Sequence, residues 1–199
     1  RFLMNIRWAA DTVIFPYQPA NDEFERYYSI KLDGTATAPL QITTTSGLIE
    51  DAANTALSKD GKTFYWSTNA EDIDRRHIWS VPTIGGTPQR ITVGDEIENT
   101  PVALASGKFV AVLSAAATRP MSVAIFPAAA GSTPDKGKVI YPTLGVDFPA
   151  KASTVPTNVT LKADDGMEFH NQLFLPKDMK PGVKYPALIF VHGGPQRQM

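Results

Sequence analysis

A β-hairpin that recurs after about 45 to 49 residues constrains the fold of this chain more than any other feature. Residues 28–43 (YSIKLDGTATAPLQIT) resemble residues 78–92 (IWSVPTIGGTPQRIT), and both copies contain a strand, a glycine turn and an Ile-Thr ending. A second pair of matching phrases starts at Asn54 (NTALSKDGKTFYWS) and at Asn99 (NTPVALASGKFVAVLS). A glycine turn between apolar strands indicates a hairpin. The period lies in the range of four-stranded propeller blades.

The repeat extends to about three units, because residues 122–126 (SVAIF) and the following Gly131 supply the matching strand of a third one. An all-β sandwich made of similar hairpins is the alternative. A closed propeller needs roughly four to eight blades. The sequence therefore predicts a partial β-propeller over residues 1–150. The start at Arg1, without an initiator methionine, leads us to expect an internal piece of a longer protein.

The pattern changes at residues 149–156 (PAKASTVP), which have the composition of a linker. Beyond them, a turn at residues 164–166 (DDG) joins two predicted antiparallel strands, the second over residues 167–175. Residues 186–191 (PALIFV) then form an apolar run, as expected of a central parallel strand buried on both faces. The chain is thus predicted to be mainly β, with residues 151–199 forming the first strands of an α/β-hydrolase domain.

The apolar run ends at His192, Gly193 and Gly194, which are followed by a proline. Two glycines let the backbone turn sharply and approach a ligand closely, and the proline stops the strand. A buried strand leading into His-Gly-Gly is typical of an oxyanion loop, in which backbone N–H groups stabilise a tetrahedral intermediate. An ordinary glycine turn is the alternative.

The composition gives no support for several classes of partner. A formal net charge of −1 without a run of lysine or arginine gives no reason to expect nucleic acid or a membrane surface. No apolar stretch has the length of a membrane-spanning helix. The absence of cysteine excludes disulfides. It leaves the location undetermined, because the protein could be periplasmic, secreted or cytoplasmic. The three histidines, His77, His170 and His192, lack metal-ligand spacing, so we expect no metal and no cofactor.

Together these patterns resemble the prolyl oligopeptidase family of serine peptidases. Residues 163–196 (ADDGMEFHNQLFLPKDMKPGVKYPALIFVHGGPQ) are similar to the start of that family's hydrolase domain, with DG, LFLP, YP and HGGP in order. The phrase HIWSVPTIGGTPQRIT is similar to one of its propeller repeats. The HGGP form most resembles the acylaminoacyl-peptidase branch, because the dipeptidyl peptidase and prolyl oligopeptidase branches have tyrosine where His192 stands.

This resemblance implies a propeller that caps the hydrolase domain, short peptides as substrates, and acyl transfer by a Ser-Asp-His triad. No serine of the 199 residues lies in a G-x-S-x-G sequence, and no histidine follows His192. We therefore expect the triad to lie beyond Met199 and this chain alone to be inactive. The expected site residues are His192, Gly193 and Gly194: backbone N–H groups act on the oxyanion, and the imidazole shapes the loop.

Other residues carry weaker expectations. His170 is expected on the solvated face of a strand, and His77, which follows two arginines, on the rim of a blade. Tryptophans in or beside strands are expected to pack between blades; they are Trp8, Trp66 and Trp79. The resemblance to aminopeptidases of the family suggests acids that bind a substrate amino terminus, although charged loops are ordinarily just solvated. The candidates are Glu23, Glu25, Asp95, Glu96 and Glu98.

Two other functions fit parts of the pattern. The main alternative is a non-catalytic propeller module that binds proteins and carries a degenerate hydrolase remnant. An esterase has a similar His-Gly-Gly loop but lacks the upstream blades. Whatever the function, a partial propeller is expected to have unpaired strand edges, and an incomplete hydrolase sheet is expected to leave residues 187–191 without a covering layer. We therefore expect homo-oligomers or aggregates.

Overall fold

The computed structural model describes residues 5–193, which form four antiparallel sheets and almost no helix. The prediction of a mainly β fold is confirmed. Short 3-10 turns lie at Ala52–Asn54, Pro134–Lys136 and Ala150–Ala152. The strands, in chain order, are β1 (Arg7–Ala9), β2 (Thr12–Tyr17), β3 (Arg26–Lys31), β4 (Leu40–Gln41), β5 (Thr55–Leu57), β6 (Thr63–Thr68), β7 (His77–Pro82), β8 (Gln89–Arg90), β9 (Ile97–Ala103), β10 (Phe109–Ala116), β11 (Arg119–Pro127), β12 (Lys138–Tyr141), β13 (Thr157–Lys162) and β14 (Glu168–Leu173).

Twelve of these strands form three sheets in which consecutive strands are neighbours: sheet 1 (β1–β4), sheet 2 (β5–β8) and sheet 3 (β9–β12). The predicted turn at Asp60 and Gly61 joins β5 to β6, and Gly61 has a φ of +72°, a left-handed value that favours glycine. The Ser58 hydroxyl closes this turn by accepting hydrogen bonds from the N–H groups of Lys62 and Thr63, at 3.1 and 2.9 Å. Local turn chemistry thus sets the hairpins.

Sheets 1 and 2 repeat each other residue for residue in their two central strands. Thr12 pairs with Lys31 in sheet 1, as Thr63 pairs with Pro82 in sheet 2. Each of the following pairs in sheet 1 has an equivalent pair at the same place in sheet 2. The repeated Ile-Thr ending has a physical cause. The Thr43 hydroxyl accepts the Tyr27 N–H at 2.8 Å, as the Thr92 hydroxyl accepts the Ile78 N–H at 2.9 Å. In each sheet, the threonine hydroxyl therefore continues the hydrogen bonding to the third strand at the point where the fourth strand ends.

Sheet 2 lies between sheets 1 and 3 and is buried on both faces. Alternation along its strands sends successive side chains into two separate cores. The first core contains Ile14, Tyr27 and Ile42 of the first repeat packed on Leu57, Phe64, Trp66, Trp79 and Val81. The second core contains Tyr65, Ile78 and Ile91 packed on Val110, Val112, Ala124 and Phe126.

Two of the three tryptophans behave as predicted. Trp66 and Trp79 form a cross-strand pair with ring centroids 6.4 Å apart, and both are buried between sheets 1 and 2. Trp8 contradicts the prediction, because its side chain is 66% exposed on the face of sheet 1 that points away from sheet 2. Neither sheet 2 nor sheet 3 packs on that face.

The chain divides into two units: unit 1 comprises residues 1–116 and 121–143, and unit 2 comprises residues 117–120 and 144–199. Within unit 2, β13 and β14 pair in register around the predicted turn, where Gly166 has a φ of +89°. His170 pairs with Thr160 and is exposed, as predicted.

The predicted buried strand at residues 186–191 is not formed. This run pairs with no strand of the described residues, and its apolar side chains, Leu188, Ile189, Phe190 and Val191, are between 81% and 95% exposed. A central parallel strand needs a hydrogen-bonded neighbour on each edge and a covering layer on each face. Residues 5–193 provide neither for this run. The same residues contain no helix that is long and apolar enough to span a bilayer.

Gly47 allows the connection between sheets 1 and 2 to pass close to β6. A Cβ at this position would lie 2.4 Å from the Thr68 hydroxyl oxygen and 2.6 Å from the Ala70 nitrogen. We expect Gly47→Ala to destabilise unit 1 by about 1–3 kcal/mol, because backbone must move to relieve the overlap. Gly145→Ala is the control, because a Cβ there meets no atom within 4 Å. Urea unfolding should separate the two variants, and equal midpoints would contradict the expectation.

Candidate functional site

The predicted oxyanion loop lies in exposed, extended chain. His192 and Gly193 are exposed, and the His192 Nδ1 lies 3.2 Å from the Gly193 carbonyl oxygen. A Cβ on Gly193 would meet no atom within 4 Å. Gly194 lies outside the described residues. The structure thus gives the His192 imidazole a contact within its own turn, and it leaves the space beside Gly193 open.

A second group of polar residues, which the sequence did not predict, lies at one end of sheet 2. We call it the His77 cluster, and it comprises Asp72, Arg75, Arg76, His77 and Glu98. The His77 side chain is fully buried at the start of β7. Its Nδ1 lies 3.0 Å from the Glu98 Oε2, and its Nε2 lies 3.4 Å from the Asp72 Oδ2, at ion-pair distance without hydrogen-bond geometry. The prediction that His77 is a rim residue is therefore wrong.

Burial of His77 results from residues that are distant in sequence. Glu98, itself 1% exposed, comes from β9 of sheet 3, and its N–H donates to the Arg76 carbonyl at 2.9 Å. The Ser67 hydroxyl of β6 donates to the Glu98 carbonyl at 2.7 Å. The loop between β6 and β7 supplies Asp72 on the other side of the ring. The imidazole therefore links sheet 2, sheet 3 and this loop.

Arg76 attaches the connection between sheets 1 and 2 to the same end of sheet 2. One guanidinium nitrogen donates to the carbonyls of Leu48, Ile49 and Ser67 at 2.8 to 3.2 Å, and another lies 3.2 Å from the Glu50 carboxylate. Burial lowers the pKa of Arg76, and the charge of Glu50 opposes that effect. A buried guanidinium needs such partners, because an unpaired buried charge is costly.

Sheet 1 has a simpler pair at the equivalent place. Arg26 is the first residue of β3, as His77 is of β7, and its guanidinium donates to both carboxylate oxygens of Asp22 at 2.7 and 3.1 Å. The Arg26 hydrogen bond and the Phe24 N–H lower the pKa of Asp22. This equivalence, an acid a few residues before a basic strand start, was the sequence signal from which the His77 cluster could have been found.

The acids predicted to bind an amino terminus have different environments in the structure. Glu98 is unavailable to a substrate, because it is buried against His77. Glu96 accepts a hydrogen bond from the Ser114 hydroxyl at 3.1 Å, and Asp95, 99% exposed, lies 3.6 Å from an Arg75 nitrogen. Glu23 is exposed, and burial raises the pKa of Glu25.

An open cavity of about 280 Å³ lies beside this end of the sheets. The loop between β2 and β3, the connection after β4 and the loop between β6 and β7 all contribute to its wall. Its lining residues are Phe24, Ser46, Gly47, Asn69, Glu71, Asp72 and Ile73. Within residues 5–193, no three His, Asp or Glu side chains are grouped to hold a metal ion. The two carboxylates beside His77 face opposite ring nitrogens and so do not converge on one point.

No family model matches the chain. A stretch of 46 residues, 23% of the chain, is 37% identical to dipeptidyl peptidase 8 of Mus musculus, and the match to dipeptidyl peptidase 8 of Homo sapiens has the same identity and length. The chain spans 5% of the length of these curated relatives.

Among solved structures, the apo structure of AtxE2 isopeptidase is similar to 92% of this chain, with a TM-score of 0.61 and 14% sequence identity. The chain spans 27% of the length of that isopeptidase chain. At this identity the similarity concerns the fold. The chain thus shares the fold of the corresponding part of that isopeptidase structure.

Proposed function

We propose that this chain is part of a serine peptidase of the prolyl oligopeptidase type that cleaves short peptides by acyl transfer. In this proposal, sheets 1 to 3 are consecutive blades of a β-propeller over residues 1–150, and residues 151–199 begin an α/β-hydrolase domain. The observation that carries the proposal is the residue-for-residue repeat of sheets 1 and 2, followed by a third sheet of the same strand order and then by the hairpin that leads to His192.

The loop from His192 to Gly194 would supply the oxyanion site. Backbone N–H groups of this turn stabilise the negative oxygen that develops when a serine attacks a peptide carbonyl. Open space beside Gly193 agrees with close approach of a substrate. The exposed apolar run before the loop agrees with a strand that has neighbours in a complete hydrolase sheet. Serine, acid and base of the triad would come from a segment other than these 199 residues.

The purified 199-residue chain is expected to show no peptidase activity. It contains no G-x-S-x-G sequence and no histidine after His192. The measurement is release of a chromophore from short peptide substrates, with and without a fluorophosphonate that reacts with activated serines. Turnover that the fluorophosphonate abolishes would show that these residues contain a nucleophile, and the assignment of the triad elsewhere would then be wrong.

Sequencing the encoding gene on both sides of this segment tests the proposal directly. We expect a G-x-S-x-G sequence, then an aspartate and a histidine, downstream of the codon for Met199. We also expect further propeller repeats upstream. A reading frame without the elbow would contradict the peptidase function and would favour the alternative of a propeller module that binds proteins.

A further inference from the structure

The contact between sheets 2 and 3, which we call the second seam, includes a segment that sheet 3 adds to the outer edge of sheet 2. We call this segment, Gly131 and Ser132, the strap; it belongs to the loop between β11 and β12. The Ser132 N–H donates to the Ile91 carbonyl at 2.7 Å, and the Ser132 carbonyl accepts the Val93 N–H at 3.1 Å. The Gly131 N–H donates to the Arg90 carbonyl at 3.0 Å. The outer edge of sheet 2 is therefore hydrogen bonded to sheet 3.

The His77 cluster joins the same two sheets at a second place. There the Glu98 N–H donates to the Arg76 carbonyl at 2.9 Å, and the Glu98 carboxylate contacts the buried His77 ring at 3.0 Å. The backbone of β9 lies beside β5, β6 and β7. Directional hydrogen bonds thus accompany the second core along this seam.

The contact between sheets 1 and 2, which we call the first seam, has no such strap. Within residues 5–193, no backbone hydrogen bond joins a strand of sheet 1 to a strand of sheet 2. Polar contacts across this seam involve side chains, such as the Arg7 guanidinium, which donates to the Ala52 carbonyl at 3.1 Å and to the Thr55 hydroxyl at 3.4 Å. Most of the contact is the first core, whose apolar packing is not directional.

The strap is missing from the first seam because the loop that would supply it is short. Residues 83–88 of sheet 2 are equivalent to residues 128–137 of sheet 3. Both loops begin with an N–H, that of Thr83 or of Ala128, which donates to a lysine carbonyl of its own sheet at 2.9 Å. The shorter loop turns back at Gly85, where φ is +89°, and enters β8 without pairing with the edge of sheet 1. The two seams thus differ because of loops that the structure describes.

A cavity lies at each end of the first seam. The cavity of about 280 Å³ beside the His77 cluster has walls from loops on both sides of this seam. Another cavity, of about 260 Å³, lies at the opposite end, where Leu40 of sheet 1 and Ile84 of the short loop contribute to its lining. The two sheets therefore meet closely in the first core and leave gaps at both ends of it.

The connection between sheets 1 and 2 contains a short segment between two attachments. Arg26 of sheet 1 donates to the Thr45 carbonyl, and two side chains of sheet 2 bind the backbone of Leu48. Ser46 and Gly47 lie between these attachments. Hinges are commonly a few loop residues of this kind, which absorb a change in backbone angles.

We propose that sheet 1 opens away from sheet 2 about Ser46 and Gly47, while sheets 2 and 3 stay joined. Opening the first seam breaks no backbone hydrogen bond between strands, whereas opening the second seam breaks those of the strap and of Glu98. Sub-global openings of this kind require less free energy than complete unfolding. The proposal concerns the packing within unit 1 and does not depend on the peptidase function.

Two equivalent isoleucines test the proposal, because the chain contains no cysteine of its own. Ile42 lies in the first core and Ile91 in the second, and each is 1% exposed. Single cysteine variants, Ile42→Cys and Ile91→Cys, are treated with dithionitrobenzoate while folded, and each rate is corrected for the global stability measured by urea unfolding. We expect Ile42→Cys to react about tenfold faster or more, because several hydrogen bonds hold the second seam closed.

Ala105→Cys, in the exposed turn between β9 and β10, gives the rate of an unprotected thiol. Val81→Cys in the first core and Val110→Cys in the second repeat the comparison with a smaller change of side chain. Equal corrected rates for the two cores overturn the proposal, as does a faster reaction in the second core. Labelling that only follows global unfolding at both positions overturns it as well.

A variant of the strap tests why the second seam stays closed. Ser132→Pro removes the N–H that donates to the Ile91 carbonyl. In a chain whose circular dichroism spectrum is unchanged, this substitution should speed the reaction of Ile91→Cys and leave that of Ile42→Cys as it was. If the reaction of Ile91→Cys is not faster in that folded chain, the strap does not hold the seam and the proposal is wrong.

Discussion

Replacing Glu98 with alanine is expected to destabilise unit 1 by about 1–3 kcal/mol, because it leaves a buried nitrogen of His77 without its hydrogen-bond partner. The His77 ring would keep its place in the interior and lose its 3.0 Å contact. Urea unfolding followed by tryptophan fluorescence measures the change in stability, since Trp66 and Trp79 are buried in sheet 2, which also contains His77. Glu98→Gln, which retains a hydrogen-bonding oxygen at this position, should lose less.

Asp95→Ala is the matched control for Glu98→Ala. Asp95 lies near the same cluster, at 3.6 Å from an Arg75 nitrogen, but it is 99% exposed. Exposed ion pairs contribute roughly 0–1 kcal/mol, so this variant should unfold close to the unmodified chain. The double variant with His77→Ala should cost less than the sum of the single changes, because the two residues share one interaction. A loss below about 1 kcal/mol for Glu98→Ala would contradict the importance of this buried hydrogen bond.

In the whole peptidase that we propose, Gly193→Val is expected to lower kcat by about a hundredfold or more, the usual effect of losing an oxyanion donor. A β-branched side chain restricts the backbone and should turn the N–H groups of the loop away from the oxyanion. His192→Ala should reduce kcat less, since it removes a side chain and leaves the donors in place. His192→Tyr should be tolerated best, because a tyrosine hydroxyl can add a donor.

Folding and catalysis are separable at this position. A Cβ on Gly193 meets no atom within 4 Å, so Gly193→Val should leave the stability of the 199-residue chain unchanged. The kcat values are therefore measured together with circular dichroism spectra. If His192→Ala is as damaging as Gly193→Val while the fold is intact, the imidazole takes part directly and the assignment to backbone donors is wrong.

The hairpins could be predicted because their causes are local. Asp60 and Gly61 form the turn that the sequence indicates, and Gly61 adopts the left-handed φ that such a turn needs. The Ile-Thr endings correspond to Thr43 and Thr92, whose hydroxyls accept hydrogen bonds from the neighbouring strand. These features depend on residues within one repeat.

The errors concern features that depend on distant residues. His77 follows two arginines, which suggested the rim, but Glu98 of the next sheet and the loop before β7 enclose it. Trp8 is a large aromatic residue of the kind that is usually buried in a strand. Its burial would require a second sheet packed on the face of sheet 1 that carries it, and Trp8 is exposed. Residues 186–191 have the apolar pattern of a central strand without the neighbours that such a strand needs. The periodicity of apolar residues predicts which side chains share a face of a strand. It does not predict which part of the chain covers that face.

The central position of sheet 2 has a consequence for how mutational effects combine. Tyr65 and Trp66 are adjacent in sequence, but they belong to two cores with no residue in common. Substitutions at these two positions weaken different interfaces, so their free energies should add as if the residues were far apart. Ile14 and Trp66, far apart in sequence, share one core and should couple. Unit 1 thus behaves as a linear array, in which energetic distance follows the order of the sheets and not the numbering of the chain.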